Sequence, residues 1–328
     1  MTHRVRRLTT PAEIAALADR WPEAAAPPNT FAWAAAAITT RPVTPCWLVW
    51  EGDAPTILPL ALRRVAGLRV AEWSGIAVTD HNRVLGPTPP AALAELRAAL
   101  VDLPVDLIRL DDSVGDLAWT GLQPLPPTST ARIATVGSPE DYWLSRSANL
   151  RARIGRHRRR LLDQGLEASA VRGEERATCL HALRGWLLAR QPDAAGRHAW
   201  QQRILPFLDH VVDLPGVTVD ALRVQGVPIA VHVGWREGLW QMYWLPGYDP
   251  RWADRSPGHV LLWTLIERAF AEGLAGIDLL RGAEPYKAMW ATQAAPLGRV
   301  VGATSLLGRL ALPWLVRRAV TAPDGGHP

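Results

Sequence analysis

Three β-type runs, at residues 217–224, 227–235 and 239–245, follow one another with only Gln225-Gly226 and Arg236-Glu237-Gly238 between them. Connections this short join antiparallel neighbours, so the runs predict a meander. The third run leads through a loop containing Ser256-Pro257-Gly258 into a stretch whose Leu262, Leu265, Ile266, Ala269 and Phe270 share one helical face until Gly273 ends it. A strand at 275–280 follows and leads into the segment Asp278 to Trp290, with a short helix that carries Glu284, Tyr286 and Lys287. The order meander, glycine loop, helix, strand, short helix is specific, and it sets a loop at a helix start.

The rest of the chain also mixes helices and strands. Helical stretches are expected at 11–20, 31–39, 90–100, 174–190 and 198–212, with apolar runs at 46–50, 56–62, 69–73, 105–110 and 131–136. The chain has 328 residues, 48% of them hydrophobic and 20% charged, which suits a globular protein of two domains. The expected divisions are an N-terminal domain at 1–138, a connecting basic helix at 139–165, a C-terminal domain at 166–320 and a disordered tail at 321–328. The basic start, Met1 to Arg7, leads into no apolar h-region, so no signal peptide is expected. No apolar run reaches the roughly 18 residues of a membrane span. Cys46 and Cys179 form no disulfide framework and fit a reducing cytoplasm, the expected location.

Lys287 is the one lysine among 36 Lys and Arg positions. A bias that replaces lysine with arginine spares a position that needs a compact ammonium, so Lys287 is a candidate for chemistry. The alternative is an i,i+3 partner for Glu284. In the loop before the long helix, Ser256 reads as an N-cap, Pro257 as the first helical residue and Gly258 as a point of backbone approach. Free amides and the helix dipole would then face a phosphate, with Arg251 and Arg255 nearby.

The net charge of +5 favours an anionic partner, and much of it collects between Arg146 and Arg160. Leu150, Ile154, Leu161 and Leu162 recur at helical spacing there. The segment therefore reads as an amphipathic helix with Arg153, Arg156 and Arg160 on a face that either meets solvent or meets an anionic ligand. Near the C-terminus, Leu306 to Val320 is apolar with basic punctuation. It is too short to span a bilayer and either packs on its domain, the favoured reading, or makes peripheral contact with an anionic membrane.

The stretch from Gly226-Val-Pro-Ile-Ala230 through Tyr248-Asp249, Ser256-Pro257-Gly258, Leu261-Leu262, Gly273, Asp278, Gly282, Glu284 and Tyr286-Lys287 resembles the CelD-type (cellulose-biosynthesis-type) acetyltransferases of the GNAT superfamily, relatives of the FemAB peptidyl transferases. Arg159-Arg160-Leu161, Gly165 and the segment from Trp73-Ser-Gly75 to Asp80 fit the same pattern. The resemblance implies an α/β (α+β) fold of tandem GNAT-like units, each a mixed, mostly antiparallel sheet flanked by helices. It also implies acetyl-CoA or another acyl-CoA as donor, and a small-molecule or saccharide acceptor with an amine or hydroxyl. The superfamily's Arg/Gln-x-x-Gly-x-Gly/Ala pyrophosphate signature is incomplete here, with Ser256-Pro257-Gly258 in its place.

On that resemblance Tyr286 is the candidate acid and Lys287 the oxyanion or acceptor partner, with Asp278 and Glu284 as base or as orienting groups for the lysine. Asp278 alternatively caps the turn after its strand. Ser256, Pro257, Gly258, His259 and Arg255 would hold the donor; Trp244, Tyr248, Asp249 and Arg156 would meet the acceptor. His232 and His259 are possible bases, and a lone histidine is more often packed than catalytic. Motifs for nucleotide hydrolysis, dinucleotides, zinc and serine hydrolysis are missing, and no metal is expected. Two alternatives stand beside acyl-CoA transfer. One is a Fem-like aminoacyl transferase using aminoacyl-tRNA, the only nucleic acid expected, with the arginine helix as its footprint. The other is a non-catalytic anion-binding module. Acceptor identity, acyl chain length and oligomeric state are not legible in the sequence.

Overall fold

The computed structural model describes residues 5–321 apart from 77, with the backbone alone for 318–321. The expected tail falls outside the described residues except at 321. The chain forms two compact units, one of residues 1–129 and 296–328, the other of residues 130–295.

The first unit starts with β1 (Val5–Leu8) and α1 (Pro11–Ala15), whose Thr10 and Glu13 close a capping box. The helical stretch expected at 11–20 breaks after α1 and resumes only as a single 3-10 turn. Next come α2 (Phe31–Thr39), β2 (Thr44–Trp50), β3 (Thr56–Val65), β4 (Leu68–Trp73), α3 (Pro90–Val101), β5 (Leu107–Ser113) and the two-residue β6 (Gln123–Pro124). Strands β1 to β4 pair antiparallel in sequence order, and β5 joins β4 in parallel, a pairing that needs a crossover. Helix α3 supplies it. Its Ala92, Leu96 and Leu100, four residues apart, bury one stripe against the strands, with Leu48, Leu58, Leu60 and Trp73 in the same core.

The second unit runs through β7 (Thr128–Ala134), α4 (Pro139–Ser145), α5 (Ala148–Leu162), β8 (Leu166–Ala170), α6 (Gly173–Ala189), α7 (Ala194–Ala199) and α8 (Leu205–Val211). The expected meander follows as β9 (Val217–Val224), β10 (Val227–Glu237) and β11 (Trp240–Tyr248), then α9 (Pro257–Ala271), β12 (Gly276–Arg281) and α10 (Pro285–Trp290). Its sheet order is β7-β12-β11-β10-β9-β8, antiparallel except for the parallel pair β11 and β12. Helix α9 is the crossover of that pair. Its Val260, Leu261, Leu262, Leu265, Ile266 and Ala269 share one core with Ile154 and Leu161 of α5. The expected helix at 198–212 begins inside α7 and passes through a π turn at Trp200–Ile204 into α8. Pro206, which has no amide hydrogen, lies just beyond that turn.

From the second unit the chain returns to the first through β13 (Gln293–Ala303) and α11 (Leu306–Thr321). Strand β13 pairs with β5 from Gly298 to Ala303 and with β6 at Val300 and Val301. The Arg299 guanidinium reaches Asp111 at 2.9 Å. These bonds place residues from 296 onward in the first unit, and α5 lies within the second. The division therefore differs from one at residue 138 followed by a connecting helix: pairing across nearly two hundred residues leaves no signal in local composition.

Gly276 lets β12 pass between its neighbours. Its φ is +151°, and a Cβ there would stand 1.9 Å from the Ile133 carbonyl oxygen of β7. Gly276→Ala is expected to cost about 2–3 kcal/mol in urea unfolding. Gly226→Ala, in an open turn, should cost about 1 kcal/mol. Equal losses at the two sites would contradict this packing.

Candidate active site

The parallel pairing of β11 with β12 lasts three residues: Trp240, Gln241 and Met242 oppose Gly276, Ile277 and Asp278. Beyond them β12 kinks. Leu280 has φ +60°, a left-handed conformation that costs a branched side chain of order 1–3 kcal/mol, and the register with β7 shifts between Asp278 and Arg281. Two side chains hold the kink. Asp278, fully buried, accepts from the Leu280 amide at 2.8 Å, from Arg132 Nε at 2.7 Å and from the Thr130 hydroxyl at 3.1 Å. Lys287 Nζ donates to the carbonyls of Leu280 at 3.2 Å and Arg281 at 2.5 Å and pairs with Glu284 at 3.0 Å.

These contacts match the alternatives that the sequence left open for the two residues, a pair with Glu284 for Lys287 and a turn cap for Asp278. Lys287 is 4% exposed, and its ammonium meets three oxygens of its own loop. A compact tripodal donor suits this cage and a planar guanidinium does not, which accounts for a lysine among arginines. Asp278 is engaged as the ion-pair partner of Arg132 and as the cap of the following turn. Glu284 remains exposed on the solvent side of the loop.

The kink leaves Tyr243 to Tyr248 of β11 without a ladder to β12, and α9 begins beside this opening. Ser256 does not cap α9 as expected: it has φ +47° and makes no side-chain cap bond. The chain reverses there between a 3-10 turn over Pro250–Arg255 and α9, and the Ser256 carbonyl accepts the amides of His259 and Val260. Pro257 has no amide hydrogen, so Gly258 carries the first-turn amide left for a ligand. The Tyr248 ring lies 3.3 Å from where a Gly258 Cβ would stand. Arg255 stacks over Trp252 at 5.1 Å and donates to Gln164 at 2.5 Å.

Helix α10 closes the opening with aromatic rings. His259 Nδ1 accepts from Trp290 Nε1 at 2.9 Å, its ring stacks on Trp290, and Tyr286 meets it edge-on at 6.3 Å. Burial, with the Arg153 charge, pushes His259 down to about 4. It is therefore neutral at physiological pH and carries its hydrogen on Nε2, as a donor rather than the base considered from sequence. Burial, with the Glu284 charge, pushes the Tyr286 phenol up. A phenol that keeps its proton suits an acid.

Sequence reasoning singled out His232 but missed the polar cluster around it. His232 stacks on Tyr243 at 4.4 Å and approaches Asp220 at 3.3 Å, and Arg268 donates to Asp220 at 2.6 Å. Burial holds His232 below its ordinary value and Tyr243 well above, the latter also through Tyr286. No spacing rule links residues 220, 232, 243 and 268; the meander register brings the first three together and α9 adds Arg268. Tyr142, which donates to the Trp290 carbonyl at 2.7 Å, was missed for the same reason.

The expected acceptor residues scatter. Trp244 packs edge-on against Phe207 and Trp235, on the α8 side of the sheet and away from α9. Asp249 is buried in a two-pronged pair with Arg251, whose hydrogen bonds hold its carboxyl below the usual range. Tyr248, at Gly258, borders the opening. On α5, Arg156 and Arg160 are exposed and Arg153 is half-buried, with Nη2 3.8 Å from Met289 Sδ of α10. Arg158 pairs with Glu267 at 2.7 Å beside a cleft of about 390 Å³ floored by Trp143 and Trp263.

Residues 148–288, most of the second unit, match the family model of the acetyltransferase (GNAT) domain. No curated protein matches the sequence. Among solved structures, FemX superposes with a TM-score of 0.58 at 10% identity, over 94% of this chain and 99% of that one. The C-terminal domain described as that of a lysylphosphatidylglycerol synthetase from Agrobacterium fabrum gives 0.56 at 12% identity, over 97% and 100%. L-PGS from Bacillus licheniformis gives 0.51 at 12% identity, over 82% and 86%. The fold is thus a mixed α/β fold of the GNAT kind, and the second unit is similar over residues 148–288 to the acetyltransferase (GNAT) domain.

Two predictions follow from the geometry of this unit. Lys287→Met and Lys287→Arg should each lower stability by about 2–4 kcal/mol in urea unfolding, because both strand the carbonyls of the kink. Wild-type stability in either variant would contradict the cage. For His259 the folded value lies below the ordinary 6.5, so the folded state binds fewer protons. Stability is whole above pH 6.5 and falls as pH drops toward 4. His259→Gln should remove about 3 kcal/mol of that acid sensitivity; thermal melts from pH 7 to 4 that fall equally in both proteins would contradict it.

Proposed function

We propose that the second unit transfers an acyl group from acyl-CoA to an amine or hydroxyl of a small-molecule or saccharide acceptor, and that the chain stands in the CelD-type branch its motifs resemble. The observation that carries this reading is the opening of β11 from β12 beside Gly258. An exposed strand edge pairs with extended chains that carry amides, as the donor's pantetheine arm does. The Gly258 amide, at the positive end of α9, suits a phosphate oxygen. One amide makes a sparser cradle than the incomplete pyrophosphate signature would offer if whole.

In the transfer the acceptor's nitrogen or oxygen attacks the thioester carbon, and the carbon–sulfur bond breaks as the new bond forms. The Nε2–H of His259 is proposed to stabilise the oxygen that gains charge. The Tyr286 phenol gives its proton to the departing thiolate, and the acceptor's proton leaves through Glu284 or solvent. Lys287 and Asp278 act as positioning residues, by holding the kink.

A second reading has its own support. The arginine face of α5 and the single-amide cradle suit an aminoacyl-tRNA donor, and three neighbours above a TM-score of 0.5 are FemX, the C-terminal domain described as that of a lysylphosphatidylglycerol synthetase, and L-PGS.

Thiol release from acetyl-CoA, with a panel of amine and hydroxyl acceptors, tests the first reading. Tyr286→Phe should lower kcat by about 10²-fold or more with little change in KM. Gly258→Val, which would press on Tyr248, should weaken CoA binding in calorimetry. Unchanged CoA affinity in a folded Gly258→Val protein would move the donor elsewhere. Salt-sensitive tRNA binding without acyl-CoA consumption would select the second reading.

A further inference from the structure

Helix α11 is anchored at its start. The Ser305 hydroxyl donates to Asp106 Oδ1 at 2.7 Å and accepts the Gly308 amide at 3.1 Å. A Cβ on Gly308 would stand 1.8 Å from the Asp106 carbonyl oxygen, so the Gly308 side is the docked side. At about 100° per residue, Leu306, Leu307, Leu310 and Trp314 fall within one arc that lies away from Gly308. They are 76%, 62%, 80% and 59% exposed. The expectation that this segment packs on its domain holds for the Gly308 side, where Leu312, Leu315 and Val316 are half-buried, while Leu306, Leu307, Leu310 and Trp314 face water.

A contiguous apolar row of this kind marks an interaction surface, and the charges select its partner. Leu306–Thr321 contains no acidic residue, and Arg309, Arg317 and Arg318 are its charges. A second copy would set arginines against arginines. An anionic bilayer takes leucines into the acyl boundary, a tryptophan at the headgroup level and arginines at the phosphates. No helix among the described residues is long and apolar enough to cross a membrane, so the geometry is that of a helix lying in the surface.

We propose that α11 docks the protein on an anionic phospholipid surface through Leu306, Leu307, Leu310 and Trp314, with Arg309 and Arg317 at the phosphates. Such contact adds one anchoring helix and is reversible, weakening with salt.

The test is co-sedimentation of the full chain with vesicles of phosphatidylglycerol and phosphatidylcholine, against phosphatidylcholine alone. Binding should be at least tenfold tighter on the anionic vesicles. It should fall at least tenfold in the double variant Leu310→Ser, Trp314→Ser with melting unchanged. Arg309→Gln and Arg317→Gln should each cost about fivefold, a second arm that spares the apolar row. Three results would overturn the proposal: no sedimentation with anionic vesicles, equal binding by wild type and the serine variant, or a concentration-dependent dimer that the serine substitutions abolish, which would assign the face to a second copy.

Discussion

A single backbone reversal at Leu280 governs the second unit. A leucine in the left-handed region is costly, and here Asp278 holds its amide while Lys287 holds its carbonyl. Each holder is held in turn: Asp278 by Arg132 and Thr130, Lys287 by Glu284. The cost of burying these charges is offset only because every partner is present, so removing one leaves another stranded. The consequence is spatial. Strand β12 turns away from β11 after three paired residues, and the start of α9 lies beside the opening.

The same constraint explains why the aromatic groups of α10 stand where they do. The chain leaves the kink through Gly282 and enters α10 at Pro285, which brings Tyr286 and Trp290 to His259 in the first turn of α9. Burial then sets protonation: Tyr286 keeps its proton and His259 stays neutral. Arg268, Asp220, His232 and Tyr243 back this arrangement from within the sheet.

Much of the fold was legible in the sequence where local signals were strong. The meander, α9 and β12 follow from two short turns, a helical stripe ended by Gly273 and the apolar run after it, and a short helix was expected after β12. Helix α4 was not separated from the basic segment, although Ser138 and Asp141 form a capping box that marks its start. The return of β13 to the first unit was illegible, because pairing with β5 depends on residues far apart in the chain. In the candidate site the sequence weighed chemistry for its one lysine and for Asp278 against an ion pair with Glu284 and a turn cap, and the structure shows those contacts. Residue type alone does not tell a buried cage from an open site; the count of oxygens around Nζ does. Ser256 looked like a cap because serine usually is one, and the 3-10 turn before it left no extended backbone for a cap.

The central claim is that the donor lies in the opening between β11 and β12. Amide hydrogen exchange with and without saturating CoA tests it most directly. The account predicts protection confined to Tyr243–Tyr248, the first turn of α9 and the Leu280 kink. Protection spread along Arg151–Arg160, with none at Gly258 or on β11, would contradict it.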